Sequence, residues 1–385
     1  MRVLVVTTWL PTTSHPSIGS FVLKDAQAIA DLGHEVAIVH LVPPSQLGAN
    51  RAVGIAQEAP AVQGLPVTRI AMSTTSPRQI AAAGHRLSRL SAGADVVHSM
   101  AFSSLLAMAW WRPSAPWVHT EHWSGLTAPH LLPKAWQWAL PGLTRLLAKP
   151  DVVTAVCDYL AAPIREVRGA APTVVVPCIV PRPPDLVPRR PLHDTIRMVS
   201  VGGLIERKDP LMAVEVVAEL GRRGRPATLR LVGDGPLAGQ ITARARQLGV
   251  QDQVTLVGTL DRTGVLQELA DADLFLGPTL GDNFFVSCAE AVLAGRPVVV
   301  GSTGGQGEYL DERVGVCVDE QSPQAYAEAI DRVLARAEGM SAGDISDTLG
   351  EDFAASEVAM GYQRAYDRAA AQRRQRGHQG RRWQR

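Results

Sequence analysis

Short runs of β-branched and aliphatic residues alternate with helical patterns along the whole chain. Near-continuous Val, Ile and Leu runs, such as residues 2–7 and 196–201, are typical of strands buried on both faces, as in parallel sheets covered by helices. Segments such as 211–220 and 236–248 carry apolar residues at helical spacing between those runs. Because this strand–helix alternation occurs twice, the sequence predicts an α/β protein with two Rossmann-like, doubly wound domains.

A proline-rich segment separates the two halves of the chain. Five prolines fall within eleven residues, from Pro181 to Pro191, and such a segment disfavours a helix or a central strand and acts as a semi-rigid spacer. Because open α/β sheets bind ligands at the carboxyl ends of their strands, we expect the two domains to face a central cleft. The expected parts are an N-terminal domain (1–180), a linker (181–195), a C-terminal domain (196–355), a helix that crosses back to the N-terminal domain (356–371) and a disordered basic tail (372–385).

The composition excludes several classes of protein. The 38 basic and 37 acidic residues nearly cancel, which argues against a nucleic-acid partner. The four cysteines lie far apart and form no Cys-x-x-Cys or Cys/His cluster, so we expect thiols in a reducing compartment and no metal site. The first strand lacks the length and cleavage site of a signal peptide, and no apolar stretch reaches the roughly 18 residues of a membrane span, so a cytoplasmic location is expected.

The stretch from residue 277 to residue 300 carries the most chemical information. It reads as a strand end, a polar turn and a helix that begins near Phe284. Asp282 lies at the start of that helix, where its side chain could cap free N–H groups. Glu290 follows eight residues later in the otherwise apolar or small run 286–293, where an acid needs a partner. Taken alone, Asp282 could be only a helix cap and Glu290 only a solvated helix residue.

The pattern of an acid, seven residues, Glu and then Ala-x-x-x-Gly-x-Pro-Val-Val resembles the signature of retaining glycosyltransferase family 4, the group 1 glycosyltransferases of the GT-B fold. The resemblance implies that Glu290 contacts the ribose hydroxyls of the donor and that Asp282 lies beside the donor sugar. It also implies that Asn283, Phe284 and Phe285 line the donor site. The sequence departs from the pattern twice, because Asp282 replaces the usual Glu and Phe285 replaces the usual Gly. Both departures lie at the sugar end of the donor site.

A second motif, residues 201–210, runs from a strand through two glycines into a helix. Gly202 and Gly203 allow the backbone to approach a phosphate, the helix N-terminus attracts anions, and Lys208 offers a charge suited to a diphosphate. Taken alone, the segment could be a plain strand–helix turn with a surface lysine. It is similar to the family's Gly-Arg-Leu-x-x-x-Lys motif, whose Arg and Lys neutralise the leaving diphosphate. Lys208 matches that Lys, Gly203 replaces the Arg, and Arg207 would have to curl back to supply the missing charge.

Residues 304–308 resemble the family's Gly-Gly-x-x-Glu loop, which places Gly305 and Glu308 near the donor. Two other patterns are expected to be structural. Residues 271–273 resemble the metal-binding Asp-x-Asp of another glycosyltransferase fold, but here they open a strand. Residues 119–122 look faintly like a metal motif, but a strand end does not place both histidines on one face as a helix would.

The acceptor half offers fewer signals. A long polar loop, residues 11–21, follows the first strand and brings Gly19 and Ser20 to the carboxyl edge of the expected sheet. His122 follows another strand at the same edge and matches the family's histidine near the reacting carbon. The alternatives are a plain surface loop for Gly19 and Ser20 and a structural histidine for His122.

Six of the eight tryptophans lie between Trp110 and Trp138. Aromatic faces suit sugar rings or lipid interfaces, but tryptophan also simply fills cores. The segment 134–149 combines aromatic, leucine and basic residues as membrane-surface helices do. Pro141 interrupts that helix, so a peripheral membrane contact is the weaker interpretation.

The resemblance implies a hexosyl- or N-acetylhexosaminyltransferase that moves a sugar with retention from a UDP- or GDP-sugar to an acceptor hydroxyl. The catalytic residues would be His122, Asp282 and Lys208. The nucleotide-sugar is a substrate, so no cofactor and no metal are expected. The sequence leaves two alternatives open: a nucleotide-sugar epimerase of the same fold and a non-catalytic sugar-nucleotide-binding protein.

Overall fold

The computed structural model describes residues 1–11, 19–47, 56–191 and 194–382. Its strands are β1 (Arg2–Thr7), β2 (Glu35–Val42), β3 (Ala56–Val62), β4 (Leu65–Ala71), β5 (Val96–Met100), β6 (Trp117–Glu121), β7 (Val152–Ala155), β8 (Thr173–Val175), β9 (Ile196–Val201), β10 (Ala227–Val232), β11 (Val254–Gly258), β12 (Leu274–Gly277), β13 (Val298–Gly301) and β14 (Gly315–Val318). Its α-helices are α1 (Ser20–Asp31), α2 (Pro77–Leu90), α3 (Ser104–Ala107), α4 (Lys134–Leu143), α5 (Asp158–Arg168), α6 (Pro210–Arg222), α7 (Ala238–Leu248), α8 (Arg262–Asp271), α9 (Val286–Leu293), α10 (Pro323–Arg336), α11 (Ala342–Ser346) and α12 (Ala355–Arg382).

The chain divides into two compact units. Unit 1 contains Met1–Ile179 and Ala354–Arg385, and unit 2 contains Val180–Phe353. The first division lies one residue from the boundary expected at 180/181, and the second lies close to the expected end of the C-terminal domain. The predicted double strand–helix alternation is confirmed, because each unit contains its own parallel-rich sheet covered by helices.

The sheet of unit 1 has the strand order β3-β4-β2-β1-β5-β6-β7-β8. Its strands pair in parallel except β3, which runs antiparallel to β4. The chain moves to one side of β1 to form β2 and returns to the other side to form β5. The carboxyl edge between β1 and β5 is therefore the topological switch point of this sheet, where open α/β sheets bind ligands.

Strand β3 does not follow from the sequence patterns. Its residues, Ala-Gln-Glu-Ala-Pro-Ala-Val, lack the Val and Ile run of a buried strand and include Pro60. β3 stands at the edge of the sheet and pairs with one neighbour. An edge position tolerates proline and polar residues because one side of the strand needs no ladder hydrogen bonds.

The sheet of unit 2 has the order β11-β10-β9-β12-β13-β14, with parallel pairing between all neighbours. Its core consists of aliphatic side chains of the strands and of α6 and α10, including Met198, Leu229 and Val299. The chain moves outward from β9 to β10 and returns to the other side of β9 as β12. The switch point of unit 2 therefore lies at the carboxyl ends of β9 and β12.

The proline-rich segment is anchored to unit 2 and is not a free spacer. Residues 181–191 form neither a helix nor a strand. The Arg189 guanidinium donates to the carbonyls of Ala337 (2.6 Å) and Met340 (2.8 Å), and Arg190 pairs with Asp271 (2.6 Å). The arginines among the prolines therefore fasten this segment to its own unit. Residues 192 and 193 lie outside the described residues.

The C-terminal helix α12 packs on unit 1, where it contacts α1, β6 and β7. Its inward face buries Tyr362 and Tyr366. The expectation of a disordered tail from residue 372 is wrong for residues 372–382, because α12 continues to Arg382. Arg373 explains part of this extension: its guanidinium donates to buried Asp151 (2.9 Å) and to the carbonyls of Pro113 (2.6 Å) and Ser114 (2.9 Å).

Two further sequence expectations can be compared with the described residues. All four cysteines are thiols, of which Cys157 and Cys288 are buried. Within the part of the chain that the structure describes, no helix combines the length and apolar character that a membrane crossing requires.

Candidate functional site

The candidate site of unit 2 lies in the loops that follow the neighbouring strands β9 and β12. The loop after β9 reaches α6 through a short 3-10 helix, Glu206–Lys208. The loop after β12 reaches α9. The two loops are joined by backbone, because Leu280 N donates to the Arg207 carbonyl (2.9 Å) and the Thr279 hydroxyl donates to the same oxygen (3.0 Å). Both loops stand at the switch point, so the fold brings residues 202–208 and 278–285 together.

Lys208, Arg207 and Asp282 form one charged cluster in this place. The Lys208 ammonium donates to Asp282 Oδ2. The Arg207 guanidinium donates to the same oxygen (2.9 Å) and to the Gly281 carbonyl (2.7 Å). The Arg207 side chain thus does curl back to this cluster, a point that the sequence left open. Two cations face one carboxylate, which leaves a net positive charge beside the strand ends.

Burial and charge act in opposite directions on this cluster. Burial lowers the pKa of Lys208, although the neighbouring Asp282 opposes that shift. For Asp282, burial acts to raise the pKa, but the charges and hydrogen bonds of Lys208 and Arg207 outweigh burial and hold the pKa below its ordinary value. Asp282 is therefore a carboxylate at neutral pH. An ammonium has three donors and Asp282 accepts one, so Lys208 keeps N–H groups for a further acceptor.

The expected cap by Asp282 is present just before the helix, where Asp282 Oδ1 accepts from Phe285 N (3.3 Å). Phe285 itself is the N-cap residue of α9, which begins at Val286. Its backbone is left-handed, with φ 58°, a conformation that glycine adopts without strain. This explains why a Gly is usual at this position in the pattern that the sequence resembles. The Phe285 ring is buried, packs edge-on against Phe275 at 5.8 Å and lies 3.8 Å from the Lys208 ammonium. Phe285 therefore supports Lys208 by a cation–π contact.

The N-terminus of α9, not that of α6, is the better anion site. The sequence analysis assigned this role to the helix after the glycine pair, but Asp209 caps that helix by accepting from Met212 N (3.2 Å). Its negative charge opposes an incoming anion. The Phe285 side chain does not cap α9, and no acid lies in the first turn of this helix. Asp282 Oδ1 accepts from Phe285 N (3.3 Å) just before the helix, but the charge of this carboxylate is paired with Lys208 and Arg207. The Ser287 hydroxyl donates to the Val201 carbonyl (2.8 Å) and so holds this helix end at the carboxyl end of β9.

The two glycines after β9 have different surroundings. Gly202 has φ 153°, in the region that favours glycine, and a side chain there would contact Lys208. At Gly203 a Cβ atom would find its nearest neighbours at ordinary contact distance, 3.8 to 3.9 Å. A Cβ atom at Gly203 therefore meets no clash, and Arg207, four residues later, supplies a guanidinium to the cluster.

The loop 304–308 is fastened directly to the segment that carries Asp282. Gly305 N donates to the carbonyls of Asp282 and Asn283, both at 3.1 Å. Gly304, which the sequence analysis did not single out, has φ 136°, and a Cβ atom there would collide with the Asp282 carbonyl. The Gly-Gly pair thus allows the backbone of this loop to lie directly against the backbone at Asp282. Glu308 is exposed at the end of this loop.

The other predicted donor residues lie on or beside α9. Asn283 and Phe284 are buried, and the Phe284 carbonyl accepts from the Tyr309 hydroxyl (3.0 Å). The Phe284 ring packs on Tyr309 at 5.2 Å, so Phe284 is a packing residue of this segment. Glu290 is half-buried on α9.

The candidate site of unit 1 lies at the carboxyl ends of β1, β5 and β6. Gly19 is the N-cap of α1 with φ 72°, and a Cβ atom there would collide with the backbone of Trp9. Ser20 is the exposed first residue of α1. Residues 12–18 of the loop predicted after β1 lie outside the described residues.

His122 follows β6, and its side chain is only 8% exposed. Its ring packs on Phe21 with centroids 4.3 Å apart, and its Nε2 lies 3.9 Å from Asp25 Oδ2. Burial, with a contribution from the charge of His119, lowers the pKa of His122 to about 3. His122 is therefore a neutral imidazole at physiological pH, suited to hydrogen bonding.

Sequence reasoning missed Asp25 and Tyr362, which stand behind His122. Asp25 is buried on α1, and burial raises its pKa to about 7. The Tyr362 hydroxyl of α12 donates to Asp25 Oδ2 (2.8 Å). The sequence carried one signal for Asp25, since it is an acid within the apolar helical face that includes Val22 and Ile29.

Residues 271–273 and 119–122, which were expected to be structural, form hydrogen bonds within the fold. Asp273 binds the Arg197 side chain (2.5 and 3.0 Å), and Asp271 accepts from Gln267 (2.8 Å). His119 is hydrogen-bonded to Ser99 (2.9 Å). Over the described ranges, no three His, Cys, Asp or Glu side chains gather where they could hold a metal ion.

Comparison with known proteins identifies relatives of both units. Residues 18–182 match the family described as Glycosyltransferase Family 4, and residues 188–342 match Glycosyl transferases group 1. The chain is 26% identical over 180 residues to a phosphatidylinositol N-acetylglucosaminyltransferase component from Arabidopsis thaliana, covering 47% of this chain and 40% of that protein. It is 33% identical over 105 residues to a 2-deoxystreptamine glucosyltransferase of Streptomyces kanamyceticus, covering 27% of each. The matches thus span less than half the length of these two relatives.

Solved structures share the architecture at low sequence identity. A lipopolysaccharide outer core galactosyltransferase superposes with a TM-score of 0.75 and 15% identity, covering 95% of this chain and 99% of that chain. Sucrose-phosphate synthase from Thermosynechococcus elongatus superposes with a TM-score of 0.74 and 19% identity, covering 96% and 100%. The two parallel α/β sheets and their connections define a protein of the GT-B fold. With both units matched, the chain belongs to the group 1 glycosyltransferases of glycosyltransferase family 4.

Proposed function

We propose that this protein transfers a hexosyl or N-acetylhexosaminyl unit from a UDP- or GDP-sugar to an acceptor hydroxyl, with retention at the anomeric carbon and without a metal ion. The observation that carries the proposal is the cluster of Lys208 and Arg207 around Asp282 at the switch point of unit 2. A net positive cluster beside the N-terminus of α9 suits a diphosphate. The family membership supports the sugar chemistry.

The same residues suit the departure of a nucleoside diphosphate. As the bond between the anomeric carbon and the diphosphate oxygen breaks, negative charge grows on that oxygen. Lys208 and the first turn of α9 stabilise this charge, and Arg207 adds to the field; preorganised groups of this kind are usually the largest catalytic contribution. Because these cations supply the positive charge, the proposed reaction requires no metal ion.

Retention is assigned to attack on the face that the diphosphate leaves. The acceptor oxygen bonds to the anomeric carbon while the leaving phosphate oxygen takes the acceptor proton, so atoms and charges balance. Asp282 is a poor nucleophile for a double displacement, because its Oδ2 is held by Lys208 and Arg207. We assign Asp282 to orienting the two cations beside the donor sugar, and neutral His122 to hydrogen bonding near the reacting carbon.

The proposal is tested by finding the donor and then analysing the product. A panel of UDP- and GDP-sugars is screened for a rise in the thermal unfolding midpoint, since a ligand of the native state stabilises it. The stabilising donor is then incubated with mixed alcohol and sugar acceptors, and the product is examined by proton NMR. We expect a glycoside with the anomeric configuration of the donor. An inverted product overturns retention, conversion of the donor without an acceptor identifies an epimerase, and binding without turnover identifies a binding protein.

A further inference from the structure

A cavity of about 280 Å³ opens in unit 1 at the carboxyl edge of the sheet. Its aromatic walls include Trp9, Phe102 and Trp123. These residues follow the last residues of β1, β5 and β6 by two positions each. Consecutive parallel strands thus each contribute one aromatic side chain at the switch point, where such sheets bind their ligands.

The helix α4 closes the cavity from another side. Trp136 and Leu143 line it, and they are seven residues apart, on one helical face. Trp138, two residues after Trp136, does not line the cavity and is 91% exposed. One face of α4 therefore lines the cavity, whereas the sequence left sugar binding, a lipid contact and core filling all open for the tryptophans of this region.

The cavity is next to the residue assigned to the acceptor side. Trp123 directly follows His122, and the Phe21 ring contacts both the His122 ring (4.3 Å) and the Trp9 ring (5.7 Å). A ligand group in the cavity would contact Trp9, and the Trp9 ring is connected to His122 through the Phe21 ring. These contacts place the cavity beside the candidate site of unit 1.

The chemistry of the walls favours an apolar occupant. The wall side chains are aromatic or leucine apart from Thr74 and Ser103, and none of the described ones is charged. The Ser103 hydroxyl is hydrogen-bonded to the Thr8 hydroxyl. Burying several sugar hydroxyls without partners costs a few kcal/mol each, and a phosphate would meet no cation. A hexose or a sugar phosphate is therefore a poor occupant.

From these observations we infer that the cavity binds an uncharged aromatic or hydrocarbon group of the acceptor, next to the hydroxyl that receives the sugar. The inference rests on the proposed glycosyl transfer and adds the acceptor class. The aromatic walls provide a rigid apolar surface, as in small-molecule sites that bind by shape with few polar groups. Acceptors lacking such a group, including free sugars and sugar phosphates, do not use this cavity.

The test uses the full chain labelled with 5-fluorotryptophan and followed by fluorine NMR, with signals assigned through single Trp→Phe variants. The apolar probe is 4-phenyl-1-butanol, and the polar probes are glucose and glucose 1-phosphate. We expect saturable shifts of the Trp9, Trp123 and Trp136 signals with the phenyl alcohol and none with the polar probes. The Trp138 signal stays unchanged because its ring lies outside the cavity.

Two variants make the assignment specific. Leu106 also lines the cavity, and Leu106→Trp fills it, so saturable binding of the phenyl alcohol should disappear. Trp136→Ala removes one wall at a partly exposed position and should weaken binding about tenfold, whereas Trp138→Ala on the same helix should leave binding unchanged.

Equal shifts with glucose, or phenyl alcohol binding that persists in Leu106→Trp, overturn the inference. A titration of the same sample with UDP and GDP separates the two proposals. If neither nucleotide binds, the glycosyltransferase proposal fails. If a nucleotide binds and the phenyl alcohol does not, only the acceptor class fails.

Discussion

Phe285 combines backbone strain with a contact to the charged cluster. Its left-handed φ of 58° places a bulky side chain in a conformation that costs on the order of 1–3 kcal/mol. The buried ring offsets this cost by packing on Phe275 and by lying over the Lys208 ammonium. The residue thus replaces a usual glycine with a side chain that adds contacts to Lys208.

Substitutions at Phe285 separate the two effects. Phe285→Ala loses the ring and keeps the strain, so we expect a loss of about 3 kcal/mol in the free energy of unfolding. Phe285→Gly also loses the ring but relaxes the backbone, and should be about 1 kcal/mol more stable than the alanine variant. Urea unfolding measures both. Met360, inside α12, is the control position, where the glycine variant should be less stable than the alanine variant by about 1 kcal/mol. An alanine variant more stable than the glycine variant at Phe285 would contradict the strain argument.

Asp25 predicts a pH dependence of stability. Its folded pKa of about 7 lies above the ordinary 3.8, so between pH 4 and 7 the native state binds more protons than the unfolded state. The Asp25 contribution to the free energy of unfolding therefore falls as pH rises through this window and is constant above it. The buried His98 and His122, with pKa values lowered to about 3, contribute with the opposite sign.

Asp25→Asn isolates that contribution, because it keeps an acceptor for Tyr362 and cannot ionise. Urea unfolding of the variant and the natural chain is compared from pH 4 to pH 8. We expect the free energy of unfolding of the natural chain to fall relative to that of Asp25→Asn as the pH rises from 4 to 7. A difference that is independent of pH would contradict a raised pKa at Asp25.

The charged residues of the candidate sites were the easiest to predict from the sequence, and the buried residues that pack behind them were the hardest. Lys208 and Asp282 follow from motif spacing, and the structure pairs them. Asp25 and Tyr362 are 337 residues apart in the chain, so no local pattern could join them. A shared network of this kind arises only when α12 packs against α1.

At the level of elements, α12 shows how a basic segment becomes ordered. Residues 372–376 carry three arginines, a composition that favours disorder, yet Arg373 and Arg376 both face buried Asp151. A buried carboxylate requires cationic partners, and the helix adds two to the one that Arg112 provides. Local composition could not reveal this, because Asp151 lies far away in the chain, directly before β7.

Removing this anchor should fray the helix end. In Arg373→Ala we expect faster amide hydrogen exchange over residues 372–382 and a loss of about 1–2 kcal/mol in stability, because Asp151 loses a charged hydrogen bond. Arg368→Ala is the matched control, since Arg368 is exposed on the same helix. Unchanged exchange in Arg373→Ala would show that another contact orders this end.

Boundaries of elements were predicted less well than their existence. The helix expected to begin near Phe284 begins two residues later, at Val286, after Phe285 in a left-handed conformation. β3 was missed because an edge strand needs no buried apolar run. Both failures concern places where tertiary contacts override local pattern.

At the scale of the whole molecule, the double strand–helix alternation was sufficient to predict two parallel sheets. The strand orders could not be derived from it, yet they decide the site, because β12 returns beside β9 and brings Asp282 to Lys208. The same rule brings Trp9, Phe102 and Trp123 together in unit 1. In both units the candidate residues therefore gather where the order of strands reverses.

The central claim is that the cluster of Lys208, Arg207 and Asp282 holds a diphosphate, and calorimetric titration of the full chain tests it. The natural chain should bind UDP or GDP more tightly than the corresponding monophosphate. Lys208→Ala should bind the diphosphate on the order of tenfold to a hundredfold more weakly, which corresponds to the loss of one charged hydrogen bond. Its affinity for the monophosphate should change little. Arg230→Ala is the control: it removes a cation on β10 that is paired with Glu268 of α8, and this variant should bind normally. Diphosphate affinity that is unchanged in Lys208→Ala would contradict the account.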